Sequence, residues 1–187
     1  MKLIKSSLPE NAQTGHFLPA GYVEAYAVIV PECSRLTPDN ILVAMWTDFP
    51  KWLRMLFTLR DWLVKPFGLK AGSGGKNAGQ KLEAAIRAGN PLGLMTVPAK
   101  TADETVIRLT DKHLTAELSV HSEKRTDGQR KISIITLVHF HSAAGKMYFF
   151  VIRPFHKIIV KTATKRSLKR LQAGNSARRK EITTNGG

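Results

Sequence analysis

The 187 residues carry 43% hydrophobic side chains and a formal charge of +15, with 29 Lys and Arg against 14 carboxylates. That content suits one packed domain and excludes a wholly disordered chain. The one cysteine, Cys33, excludes an internal disulfide and a cysteine-built zinc site, and it fits a reducing compartment.

The N-terminus is charged, but no apolar stretch of a signal peptide follows Met1 to Glu10. The longest apolar runs, Ile41 to Trp46 and Met147 to Ile152, fall far short of the roughly 20 residues that span a bilayer. A cytoplasmic protein is expected. The charge is uneven: Pro154 to Gly187 holds nine Lys and Arg against one carboxylate. Such a segment attracts anionic lipid, nucleic acid or acidic protein without choosing among them.

In chain order, residues 1–20 read as an extended lead-in. Tyr22 to Val30 alternates, with Val23, Ala25, Ala27 and Ile29 on one face and Glu24, Tyr26, Val28 and Val30 on the other, which predicts a strand. Thr37-Pro38-Asp39 starts a helix: a capping hydroxyl, a first-turn proline and an acid at the positive end of the dipole. Pro50 opens a second helix, ending near Pro66-Phe67-Gly68. A loop rich in Gly and Lys, Gly68 to Gly79, precedes a short helix, Gln80 to Ala88, broken at Gly89-Asn90-Pro91.

The period then changes to two. Leu92 to Val97, Glu104 to Thr110, Leu114 to His121, Lys131 to His141 and Lys146 to Arg153 all read as strands. Thr126-Asp127-Gly128 and Ser142 to Gly145 read as hairpin turns, so the sheet is antiparallel. Pro154 opens a last helix to about Gln172, stopped by Gly174. The expected organisation is one domain over 1–173 with a flexible basic tail over 174–187. The expected class is α+β, an antiparallel sheet wrapped around a long C-terminal helix, an order that resembles the helix-grip fold of START-like proteins.

The loop Gly72-Ser73-Gly74-Gly75-Lys76-Asn77 is not a P-loop. That pattern needs Gly where Lys70 stands and Ser or Thr where Asn77 stands. His139-x-His141 puts two imidazoles on one strand face, but a partly buried and a surface histidine account for them, and no metal site is expected. No cofactor motif is present. Arg60 lies on the stripe Leu56, Arg60, Leu63, Phe67, where a charge must pair, bind an anionic group or reach the rim. Asp111 and His113 form a candidate general-base pair, with a turn-capping Asp111 as the alternative. Lys157, Lys161, Lys165 and Lys169 recur every fourth residue of the last helix, opposite Phe155, Ile158, Ile159, Thr162 and Ala163. They form either a solvated face or a docking surface for an anionic partner.

Several stretches carry a family resemblance: Ala102-Asp103-Glu104-Thr105-Val106, Asp111-Lys112-His113-Leu114, Thr136-Leu137-Val138-His139, and Gly145-Lys146-Met147-Tyr148 continuing to Ile152-Arg153-Pro154-Phe155-His156. Upstream, Trp52-Leu53, Leu59-Arg60-Asp61 and Phe67-Gly68-Leu69-Lys70 also fit. In these residues the chain resembles a bacterial family known as domain of unknown function 2867. The resemblance implies a START-like fold and no assigned reaction. Some members follow an NAD-binding reductase domain, but no G-x-G-x-x-G stands here, so that cofactor does not carry over. Thr115 and Glu117 stand where the family prefers an acid and an Arg.

The leading expectation is a domain that binds a small apolar or amphipathic molecule between sheet and C-terminal helix, with Arg60, His113, Arg153 and His156 as polar contacts. The alternatives are a cyclase- or dehydratase-like enzyme in the same cavity, using Asp111 and His113, and an interaction module that docks anionic partners through the lysine stripe.

Overall fold

The computed structural model describes residues 1–47 and 77–184, with side chains through residue 174. The helix expected from Pro50, Arg60 on it, and nearly all of the glycine-rich loop lie outside the described residues.

The described chain forms a six-stranded antiparallel sheet with helices on one face. Its elements are β1 (Ile4–Ser6), a 3₁₀ turn (Gln13–Phe17), β2 (Tyr22–Pro31), α1 (Pro38–Thr47), α2 (Ala78–Ala88), β3 (Met95–Lys100), β4 (Glu104–Thr110), β5 (Leu114–Lys124), β6 (Gln129–Phe140) and α3 (Ala143–Thr184). The spatial order is β1-β2-β6-β5-β4-β3. β3 to β6 form a meander, and β2 joins it by pairing Tyr22 with Val138 through Pro31 with Gln129. The expected α+β class, with its antiparallel sheet and long C-terminal helix, is what the chain adopts.

Local signals behave as their chemistry dictates. The Thr37 hydroxyl accepts the Asn40 amide at 3.3 Å and caps α1. Gly89, at φ 73°, ends α2 in the left-handed conformation that spares glycine a Cβ clash. Gly128, at φ 68°, closes the β5–β6 hairpin, where the Arg125 amide bonds the Gln129 carbonyl.

Each sheet face has its own layer. On the inner face, Tyr26, Val28 and Val30 meet Ile132, Ile134, Val120 and Ile107, and α1, α2 and α3 cover them with Ile41, Leu42, Ile86, Val160 and Leu168. Fully buried Leu or Ile side chains contribute roughly 2 kcal/mol each. On the outer face, Ala25, Ile135 and Leu137 lie under Ala12, Leu8, Phe17 and Ala20 of the N-terminal segment. That segment is therefore a packed layer with its own strand and 3₁₀ turn, more than an extended lead-in.

The strand expected at Lys146 to Arg153 is instead helix, and of the turn expected at Ser142 to Gly145 all but Ser142 is its first turn. Ser142 caps α3: its hydroxyl accepts the Gly145 amide at 3.1 Å and its carbonyl the Lys146 amide at 3.1 Å. Pro154 is interior to α3, not its start. An interior proline costs about 3 kcal/mol because the carbonyl four residues back loses its donor. Here Pro154 is exposed and Phe150 is 71% exposed, so water reaches that side of the helix.

Tyr148, Phe149, Ile152, His156, Val160, Ala163, Thr164, Ser167 and Leu168 form the inward stripe at spacings of three and four. The polar members His156, Thr164 and Ser167 hide it from a hydrophobicity reading. Ile158, expected inside, is 50% exposed. Gly174 does not end the helix, which runs on to Thr184. Gly145 lets α3 start against the β4–β5 turn, since a Cβ there would lie 2.2 Å from the His113 carbonyl oxygen.

Candidate functional site

A polar cluster lies beneath α3 in an otherwise apolar layer. β2 alternates, so Tyr22, Glu24 and Tyr26 project to the inner face beside Val28 and Val30. Thr136 stands opposite Glu24 on β6. α3 supplies Arg153, His156, Lys157 and Lys161, which one helical face presents at spacings of three and four.

Glu24 is 5% exposed. Its Oε1 accepts the Tyr26 hydroxyl at 2.7 Å and lies 3.5 Å from Lys157 Nζ. The Lys161 ammonium sits 4.6 Å from the centre of the Tyr26 ring, and the Arg153 guanidinium 5.1 Å from that of Tyr22. His156 Nε2 is 3.2 Å from Thr136 Oγ1, and its ring is 6.2 Å from that of Phe149.

Burial pushes the Tyr22 phenol up to about 12, helped by the Glu24 carboxylate and opposed by Arg153. Burial and the Glu24 hydrogen bond raise Tyr26 as well. Burial lowers the His156 pKa and Lys157 adds to this, against the pull of Glu24. The neutral imidazole is therefore the favoured form. Tyr22 Oη and Glu24 Oε2 are buried and make no hydrogen bond of good geometry among the described residues, although the Glu24 carboxylate and the Arg153 guanidinium both act on the Tyr22 hydroxyl.

The expected polar contacts divide. Arg153 and His156 join this cluster, and Arg60 lies outside the described residues. His113 stands elsewhere, at the β4–β5 turn beside the start of α3. Ser142 and His156 are 14 residues apart on the helix, about 20 Å at 1.5 Å per residue. His113 Nδ1 is 3.2 Å from Ser142 Oγ. Asp111 Oδ1 accepts the backbone amides of His113, at 2.6 Å, and Leu114, at 2.9 Å. It thus holds the turn, and the hydrogen-bond partner of the His113 ring is Ser142, not Asp111. The lysine stripe also divides. A spacing of four drifts about 40° per step, so Lys157 and Lys161 turn toward the sheet while Lys165 and Lys169 are exposed.

The outer face carries a second polar region. An open groove of about 410 Å³ is lined by Phe17, Arg108, Thr110, Thr115, Glu117, His139 and His141. Beside it Glu104, 1% exposed, accepts from the Gln13 amide, from the Thr14 amide at 3.2 Å, and from the hydroxyls of Thr14 and Ser119. Among the described residues, no group of three or more His, Cys, Asp or Glu is placed to hold a metal ion, and no helix is long and apolar enough to cross a membrane.

Glu24, Glu104 and Glu117 were not singled out by sequence reasoning. A signal existed for Glu24, a carboxylate between two tyrosines on the strand face that continues into Val28 and Val30. Glu104 and Glu117 gave none, because an acid on the polar side of an alternating strand reads as solvated.

The fold and the cluster define an α+β protein whose long C-terminal helix lies over an antiparallel sheet with buried charge between them. Residues 17–163 match the family described as Protein of unknown function (DUF2867), and the chain belongs to that family. No curated protein and no solved structure matches the chain.

Proposed function

We propose that this protein is a START-like domain that binds a small amphipathic molecule between the sheet and α3. The observation that carries the reading is a pair of buried oxygens, Tyr22 Oη and Glu24 Oε2, neither of which makes a hydrogen bond of good geometry although Glu24 and Arg153 both act on the Tyr22 hydroxyl. An unsatisfied buried polar group costs about 1–3 kcal/mol, and two poorly satisfied oxygens on one strand face beneath one helix suit a ligand that completes them. The phenol of Tyr22 would donate to the ligand and Glu24 Oε2 would accept from it, with Arg153 and His156 beside them. The surrounding Phe149, Ile152, Val138 and Ala116 suit an apolar body.

Native mass spectrometry of the purified protein tests this directly, together with titration of the stripped protein with the amphipathic fluorophore anilinonaphthalene sulfonate. The expected result is a co-purifying small molecule, or saturable one-to-one fluorophore binding that weakens at least tenfold in Tyr22→Phe and Glu24→Gln. Absence of both, or fluorophore binding unchanged in both variants, would overturn the reading.

A further inference from the structure

The groove on the outer face is separated from the α3 cluster by the sheet and is independent of the function proposed above. Its base is Glu117 on β5, 1% exposed. Glu117 Oε1 accepts Arg108 Nε at 3.0 Å, and Oε2 lies 3.4 Å from His139 Nε2 without making a hydrogen bond of good geometry. Arg108 also lies 4.6 Å over the centre of the Phe17 ring.

Two contacts therefore fix the guanidinium plane, one through Nε and one through its face. They leave the two terminal nitrogens of Arg108 without a partner among the described residues. The Nδ1 of His139 is likewise without one. His141 is already engaged, with Nε2 3.2 Å from Thr115 Oγ1 and Nδ1 3.2 Å from the Asp111 carbonyl. The groove thus offers an oriented guanidinium fork and an imidazole, while the one carboxylate is buried beneath them with Oε1 bonded to Arg108 and Oε2 facing His139 Nε2. A fork held this way matches the planar geometry of an oxyanion, and its ordering cost is met before any ligand arrives.

We propose that this groove binds a small oxyanion, the carboxylate or phosphate group of a polar metabolite, through Arg108 and His139. Glu117 and Phe17 are its positioning residues.

The experiment is a titration of the full chain, followed by the ring resonances of its six histidines. The ligands are inorganic phosphate and, separately, succinate. Ionic strength is held constant with sodium chloride, because a chain of charge +15 adsorbs anions generally. The expected result is a saturable shift of His139 that exceeds the shifts of His16 and His156. Saturation by phosphate alone assigns a phosphate group, by succinate alone a carboxylate, and by both the shared chemistry.

Arg108→Lys keeps the charge over Glu117 but loses the fork, and it should weaken binding at least tenfold. His139→Gln should weaken it separately, and it carries the test if the arginine variant fails to fold. The proposal is overturned if neither anion saturates, if all six histidines shift alike, or if the folded variants bind as the parent does.

Discussion

Glu104→Ala is the substitution whose consequence is best bounded by the structure. The carboxylate collects two backbone amides, Gln13 and Thr14, and two hydroxyls, Thr14 and Ser119. Thr14 and Ser119 are both fully buried. A hydrogen bond to a charged acceptor contributes about 1.5–3 kcal/mol, so four would nominally exceed the whole stability of many domains. The actual loss is smaller, because the chain has an escape. Residues 8–18 can lift off the sheet and let water satisfy the orphaned donors. The loss is then capped by the docking energy of that segment, chiefly Leu8, Ala12 and Phe17 over Ala25, Ile135 and Leu137. Three apolar side chains at about 1–2 kcal/mol each set that cap near 4 kcal/mol. The expected outcome is a loss of about 3 kcal/mol, a melting-point drop of roughly 6–12 °C if the segment is coupled to global unfolding. Hydrogen exchange with mass spectrometry localises it: peptides covering 8–18 should lose protection while β5 and β6 keep theirs. Protection unchanged at 8–18, with a melting point within about 1 °C of the parent, would refute the reasoning. The same variant should weaken oxyanion binding in the outer groove, since Phe17 leaves with the segment.

Three other perturbations address the long helix. Pro154→Ala restores a donor for the Phe150 carbonyl in a helix interior, and thermal denaturation should show stabilisation of about 1–3 kcal/mol; a lower melting point would mean that Pro154 starts the helix. Gly145→Ala drives a Cβ against the His113 carbonyl oxygen, a backbone atom with little room to move. Urea denaturation should show a loss of about 1–3 kcal/mol. His156 makes stability pH-dependent. Its folded pKa lies below the ordinary 6.5, so the unfolded chain binds the proton more readily. The stability that neutral His156 contributes is complete above pH 6.5 and is lost as pH falls through the lower folded value. In His156→Gln the melting point should fall less steeply over that window, as scanning calorimetry at successive pH values would show.

Much of the secondary structure was legible because local chemistry decides it. Thr37-Pro38-Asp39, Gly89 and Gly128 mark ends that depend only on capping and on the sign of φ. β4 begins and ends where alternation places it, at Glu104 and Thr110. Lys146 to Arg153 could not be read locally. Six consecutive apolar residues carry no period of their own, and Pro154 looks like a start unless one knows that its side of the helix faces water. The inward stripe of α3 was obscured for the same reason, since His156, Thr164 and Ser167 occupy buried positions that a hydrophobic pattern assigns to the outside.

The sequence by itself determined an α+β chain with an antiparallel sheet and a basic C-terminal helix, with His156 on that helix and Arg153 just before it as polar groups of interest. Only the tertiary structure decided which partners they meet. β2 pairs with β6 across more than a hundred residues of chain, and that pairing brings Tyr22 and Glu24 beneath Arg153 and His156. The pairing of β5 with β4 and β6 puts Glu117 on the opposite face, beside Arg108 and His139. Side chains alternate across a strand at a spacing readable from sequence, but which face is roofed by a helix and which stays open depends on contacts made far along the chain.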